Sequence, residues 1–246
     1  MQMPCIHNYG RTIMIDSLAL ARLLQLASPM LPVGAYSYSQ GLEWAIEEGT
    51  VYDAATAEQW IGDVLEFSLG SFELPLLWRM CHAWQLQDQQ QINHWNDFFC
   101  AGRETAESYA ETLQMGYSLR RLLNSLEPLE AIGEGQTSPL QQLQEISPIS
   151  FPTAYACAVA SWKIPIDAAL QSYAWSWLEN QISAAIKTIP LGQTDGQRTL
   201  FALAGRLPQL ITHACILEDD EISNFAPGLT FAGCRHETQY SRLFRS

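Results

Sequence analysis

The stretch Lys187-Thr188-Ile189-Pro190-Leu191-Gly192-Gln193-Thr194-Asp195-Gly196-Gln197-Arg198 decides how the chain is read. It lies between two long helical patterns. Pro190 and Gly192 end the first, because proline lacks an N–H and glycine accepts positive φ. Thr194 and Gln197 have the spacing of a capping box: the threonine hydroxyl accepts from the Gln197 N–H, and the Gln197 side chain reaches back to the Thr194 N–H. The segment therefore predicts a tight helix-to-helix corner flanked by two cations, Lys187 and Arg198. A glycine-bearing corner leading into a helix is also the shape of a phosphate cradle. The spacing argues against that role. A P-loop needs Gly-x4-Gly-Lys-Ser/Thr after a strand; here Gly192 and Gly196 are separated by three residues, Gln197 follows and helix precedes. A structural corner is the better reading, and no nucleotide bound by this chain is expected.

Outward from the corner the chain stays helical. Asp167 begins the long helix before it, through Tyr173, Trp175, Trp177, Leu178, Ile182 and Ile186. The helix after it is expected to run to about Leu217, adjusted at Pro208. Upstream, Asp16 or Ser17 caps a helix from Leu18 to about Ala27, stopped by Ser28-Pro29. A loop rich in proline, glycine and hydroxyls, Met30 to Gly41, leads into a helix that Gly49 ends. Tyr36 and Tyr38 in that loop fit either core tyrosines or interface anchors. Asp53 caps a helix to about Leu69, Ser71 begins another, and Asp88 to Cys100 continues in the same style. Arg103 to Leu126 is a longer amphipathic pattern. On it Glu104, Glu107 and Glu111 share one face with Arg103, a row more often solvated than metal-binding. Pro128 to Pro152 is a connector with one short helix, and helix resumes at Thr153. No segment sustains period-2 alternation. The fold class is therefore all-α: a single-domain bundle of about eight to ten helices over residues 16–222, after an extension of residues 1–15 and before a tail of residues 223–246.

Composition narrows the function. The 246 residues are 48% hydrophobic but only 16% charged, which suggests apolar surface covered by a partner or a second copy. The net charge of −13 argues against nucleic acid as the main partner. No apolar run approaches the roughly 18 residues of a membrane span, and the N-terminus lacks a secretory h-region, so the expected location is cytoplasmic. Between Leu23 and Trp78 there is no Lys or Arg, whereas the last dozen residues hold Arg235, Arg242 and Arg245 against Glu237. Cys5, Cys81, Cys100, Cys157, Cys215 and Cys234 form no C-x-x-C pair and are read as inert buried thiols. His7, His82, His94, His213 and His236 show no zinc-ligand pairing, and no nucleophile motif is present. The tail interleaves Phe231, Tyr240, Leu243 and Phe244 with arginine, the composition of interface hot spots. It is expected to dock on a partner; its rival role is to fold back on its own helices. A binding or assembly protein fits better than an enzyme.

Four places resemble the UreF family of urease accessory proteins. They are Leu23-Leu24-Gln25-Leu26-Ala27-Ser28-Pro29 with Leu31-Pro32-Val33-Gly34 and Tyr38-Ser39-Gln40-Gly41-Leu42-Glu43; Arg103-Glu104-Thr105 with Met115-Gly116; Lys187 through Arg198; and Arg235-His236-Glu237-Thr238-Gln239-Tyr240-Ser241-Arg242-Leu243-Phe244-Arg245-Ser246. Ala35-Tyr36 departs from the glycine and aromatic expected there. The resemblance implies an all-helical homodimer acting as a nickel-insertion chaperone. It would join the accessory protein UreD (UreH in some organisms) and the GTPase UreG on apo-urease. GTP would be bound by UreG, nickel would be handled by the complex, and the chain itself would need no cofactor. Arg235, Tyr240, Arg242, Leu243 and Phe244 carry over as tail contacts to the UreD-type protein. Tyr36, Tyr38, Ser39, Glu43, Lys187 and Arg198 carry over as positions facing UreG or forming the complex. The alternative is a metallochaperone that holds nickel itself, which equilibrium dialysis would distinguish.

Overall fold

A computed structural model describes residues 15–126 and 138–245, and within them every regular element is helical. Most of the 1–15 extension and much of the connector after Pro128 lie outside those residues.

The N-terminal half is built from capped helices. Asp16 accepts from the N–H groups of Leu18 and Ala19 at the start of α1 (Ser17–Ala27). The loop that follows reaches α2 (Leu42–Glu47) through Gln40 and Gly41, both at positive φ. At Gly41 the requirement is double: its φ is +80°, and an added Cβ would lie 3.0 Å from the Ala232 Cβ. Asp53 and Thr56 form a capping box at α3 (Ala54–Val64). The expected break near Gly70 does not occur. A π-helical segment, Leu65–Glu73, joins α3 directly to α4 (Leu74–Leu86), and the Ser71 hydroxyl donates to the Glu66 carbonyl inside it at 2.9 Å. Then come α5 (Gln89–Ala101), α6 (Ala106–Leu126) and α7 (Pro139–Glu145). The capping box of α7, Ser138 with Gln141, supplies the short helix expected in the connector.

The core is organised on α8 (Phe151–Ser161) and α9 (Ile166–Thr188). Helix resumes at Phe151, two residues before the expected start, because Ser150 caps it and Pro152 fits its first turn. Nearly all of α8 is buried, and its alanines let α4 and α6 approach closely. Gly116 of α6 makes this contact possible, since a Cβ there would meet the Ile149 carbonyl at 2.5 Å. One apolar cluster surrounds α4, α6 and α8. A second lies among α2, α3, α9 and α10 (Gln193–Ala204), and it includes Phe244 from the far end of the chain.

The corner is confirmed as a corner but not as a capping box. The N-cap is Gly192, with no side-chain cap bond. The helix begins at Gln193, two residues earlier than a Thr194 cap requires, so Thr194 already lies inside its first turn. The second corner helix also ends early. α10 stops at Ala204, and a separate α11 (Leu207–Ile216) starts with Pro208 in its first turn, a position that proline tolerates. One helix was missed altogether: α12 (Pro227–His236) lies in the region expected to lack helical order. Among the cysteines, Cys81, Cys100 and Cys157 are buried as expected, but Cys234 is exposed on α12. Burial pushes the Cys100 thiol up to about 11. Among the described residues no helix is long and apolar enough to cross a membrane.

Candidate functional site: the clasped C-terminal tail

The loop before α2 is fixed from beneath by α9. Asn180 Nδ2 donates to the carbonyls of Ala35 at 3.2 Å and Tyr38 at 3.1 Å. Trp177 donates to Gln40 Oε1 at 2.6 Å, and Gln40 Nε2 donates to Glu111 at 2.8 Å. Tyr36 donates to Glu179 at 2.9 Å, so burial, then that hydrogen bond and charge, push its phenol above the usual range. Tyr36 therefore faces α9. Ser39 is wholly buried, and its hydroxyl accepts from the Glu43 N–H at 3.3 Å. These bonds hold the first turn of α2 and aim Glu43 toward the tail.

The Glu43 carboxylate joins chain segments some 200 residues apart. Oε1 accepts from the Leu243 N–H at 2.6 Å and Oε2 from the Phe244 N–H at 2.9 Å. Oε2 also lies 3.2 Å from His236 Nε2. On the other side of the imidazole, Nδ1 lies 2.8 Å from Glu107 Oε2. Glu107 Oε1 takes Arg242 Nη1 at 2.6 Å. Glu237 then caps α6 from the tail, accepting from Ala106 N–H at 2.8 Å and Glu107 N–H at 3.3 Å. A carboxylate there also complements the positive end of the helix dipole. Thr230 hydrogen-bonds Glu104, and Phe231 meets Trp44 edge to face with ring centres 5.3 Å apart. Phe244 is buried in the second apolar cluster, with Lys187 Nζ 5.8 Å from its ring centre. Arg245 N–H donates to the Ser37 carbonyl at 2.8 Å. Burial pushes the Tyr38 phenol up, partly offset by a hydrogen bond with Arg245.

The structure thus joins Tyr38, Ser39, Glu43, Lys187, Arg242 and Phe244 in one clasp. Arg198 stands apart, exposed and paired with Asp195 at 2.9 Å. Arg235 lies over Phe231 on the outer side of α12. Tyr240 is fully exposed and Leu243 is 64% exposed, beside clasped neighbours. The solvated reading of the Glu104–Glu107–Glu111 row is corrected: Glu111 is only 7% exposed, and all three carboxylates have partners on other elements. From the sequence Glu107 reads only as one of a solvated row, and His236, Glu237 and Trp44 are given no contact role. The arginine preceding the row was the available signal for a buried ion pair.

That arginine, Arg103, is nine-tenths buried, bonded to Glu73 at 2.9 Å and stacked on Phe99 at 4.2 Å. Tyr173 donates to the other Glu73 oxygen at 2.8 Å. A cavity of about 80 Å3 lies between this group and the loop, lined mainly by apolar side chains such as Leu26, Val33 and Met115. Among the described residues no group of three or more His, Cys, Asp or Glu is arranged to hold a metal ion.

A protein-family model described as UreF matches residues 51–204. Relatives described as urease accessory protein UreF extend the likeness. That of Methylobacillus flagellatus is 57% identical over 95% of this chain and 100% of its own length. Those of an Azoarcus species and Dechloromonas aromatica are 53% and 48% identical, each over 93% of this chain and 96% and 98% of their own lengths.

Proposed function

The chain belongs to the UreF family of urease accessory proteins, and from that premise we propose that it matures urease by assembly, offering its clasped tail to a UreD-type partner. The carrying observation is the contrast within the tail. Arg242, Phe244 and the Leu243 amide are tied down, while the Tyr240 and Leu243 side chains project outward. Exposed apolar and aromatic side chains on an ordered backbone are what an interface anchor needs, because little further entropy is lost on binding.

The GTPase UreG is the second partner in this reading, and apo-urease is the object on which the complex forms. Nickel is cargo of the complex, and GTP belongs to the GTPase. The chain promotes nickel insertion by binding one nucleotide state of the GTPase better than another; a coupling of about 1–3 kcal/mol changes affinity roughly 5- to 150-fold. Lys187, beside the clasped Phe244, and Arg198, exposed on the corner and paired with Asp195, are the corner's two cations and are offered to the GTPase in this reading. A homodimer is part of the proposal and accords with the exposed Leu18, Leu20 and Leu24 of α1.

The test is capture of the UreD-type protein by full-length chain. The double variant Tyr240→Ala, Leu243→Ala should lose at least about tenfold in retention, the equivalent of 1.4 kcal/mol, with an unchanged melting temperature. Retention equal to wild type would overturn the docking assignment.

A further inference from the structure

His236 is fully buried, yet both of its ring nitrogens face carboxylates, Nδ1 at 2.8 Å from Glu107 and Nε2 at 3.2 Å from Glu43. A neutral imidazole has one N–H and one lone pair, so it can satisfy one carboxylate and must turn its lone pair on the other. Whether the missing proton sits on the ring or on Glu107 Oε2, which faces it, the closed clasp carries one proton beyond a neutral ring and two carboxylates. Both Glu43 oxygens already accept backbone N–H groups, from Leu243 and Phe244. Glu107 Oε1 accepts from Arg242, and its Oε2 faces the ring.

The surrounding charges favour a cation at the centre. Glu111 lies one turn beyond Glu107 on α6 and is bonded to Gln40, and Glu104, just before the helix, is bonded to Thr230. From the tail come Glu237, on the first amides of α6, and three arginines, Arg242 on Glu107, Arg235 over Phe231 and Arg245 bonded to Tyr38; Lys187 of α9 lies over Phe244. Arg103, just before α6, is neutralised by Glu73.

We infer that the clasp closes around the imidazolium, so that docking of the tail takes up a proton and the docked surface is withdrawn as pH rises. That the withdrawn surface is a partner site rests on the function proposed above; the proton coupling does not. The sign follows from linkage. The docked tail holds, between the ring and the two carboxylates, a proton that the released tail has no such site for. Docking is therefore strongest on the acid side of the ordinary histidine range. On the alkaline side the ratio of docked to released tail falls as pH rises, by at most about tenfold per pH unit.

The experiment is amide hydrogen exchange in the full-length protein between about pH 6 and pH 9, on either side of the ordinary histidine range. The Leu243 and Phe244 amides report the clasp, as protection factors corrected for intrinsic exchange. Wild type should level off near the acid end and fall toward tenfold per unit at the alkaline end; a flat profile would overturn the inference. Glu107→Gln is the second arm. Its amide oxygen can still accept from Arg242, while its NH2 donates to a neutral Nδ1. Protection in this variant should vary at least threefold less per pH unit and exceed wild type at the alkaline end, whereas a wild-type slope would contradict the proposal. Capture of the UreD-type protein at both ends of the range separates the two readings. If the amides follow pH and capture does not, the coupling stands and the docking assignment fails.

Discussion

The bundle around α8 and the clasp around Glu43 are held by different physics. The bundle buries Leu76, Leu77, Met80, Leu119, Tyr155 and their neighbours in a continuous apolar cluster. Its stabilisation is non-directional and shared among many contacts. The clasp depends on a few charged hydrogen bonds, each with one geometry, between residues some 200 positions apart. The first kind of structure sets global stability. The second can open locally while the rest stays folded, as sites that must engage and release partners require.

Mutations should separate the two. Leu77→Ala removes a wholly buried side chain from α4. It should cost about 2–5 kcal/mol of global stability, seen as a lower chemical-denaturation midpoint with partner capture intact in what remains folded. Glu43→Ala removes the acceptor of two backbone N–H groups and of His236. The expected effect is about 1.5–3 kcal/mol in the docking equilibrium of the tail, read as faster exchange at residues 236–245 with α8 amides still protected. Loss of protection throughout the bundle would show that clasp and core are one cooperative unit. Gly116→Ala forces a Cβ against the Ile149 carbonyl; about 1–3 kcal/mol of global destabilisation should follow, measurable in denaturant. Arg242→Ala breaks a partly exposed pair with Glu107. About 0.2–1 kcal/mol of tail docking should be lost, visible as a small rise in exchange confined to the tail. Arg198→Ala should leave stability within about 0.5 kcal/mol, because its pair with Asp195 is exposed; only capture of the GTPase could then reveal a role.

The same contrast explains what could be read from the chain. Helical periodicity reports burial on one face, so the all-helical class, the long helix into the corner and the caps at Asp16 and Asp53 were legible. Details that local chemistry leaves to tertiary packing were not. Thr194 and Gln197 had capping-box spacing, but the helix start moved to Gln193 and left Thr194 inside it. Gly70 looked like a break, yet the π-helical segment runs through it against Leu210. α12 carries Gly228 and Gly233 and little apolar periodicity; it forms where small residues let it cross Gly41. Nor could spacing identify the partners of Glu43 or Glu107, since those partners lie at the opposite end of the chain. The resemblance to UreF did point to Ser39, Glu43, Arg242 and Phe244, though as surfaces for other proteins, and the structure first assigns them to one another.

The central claim is that the tail is pre-organised on its own helices for docking. The dissociation constant of the UreD-type protein from the full-length chain, measured for wild type and Glu43→Ala at one pH, tests it most directly. Weakening by at least about tenfold, with the melting temperature retained and the Leu243 and Phe244 amides freed, is the predicted result. An unchanged dissociation constant with those same amides freed would contradict the account.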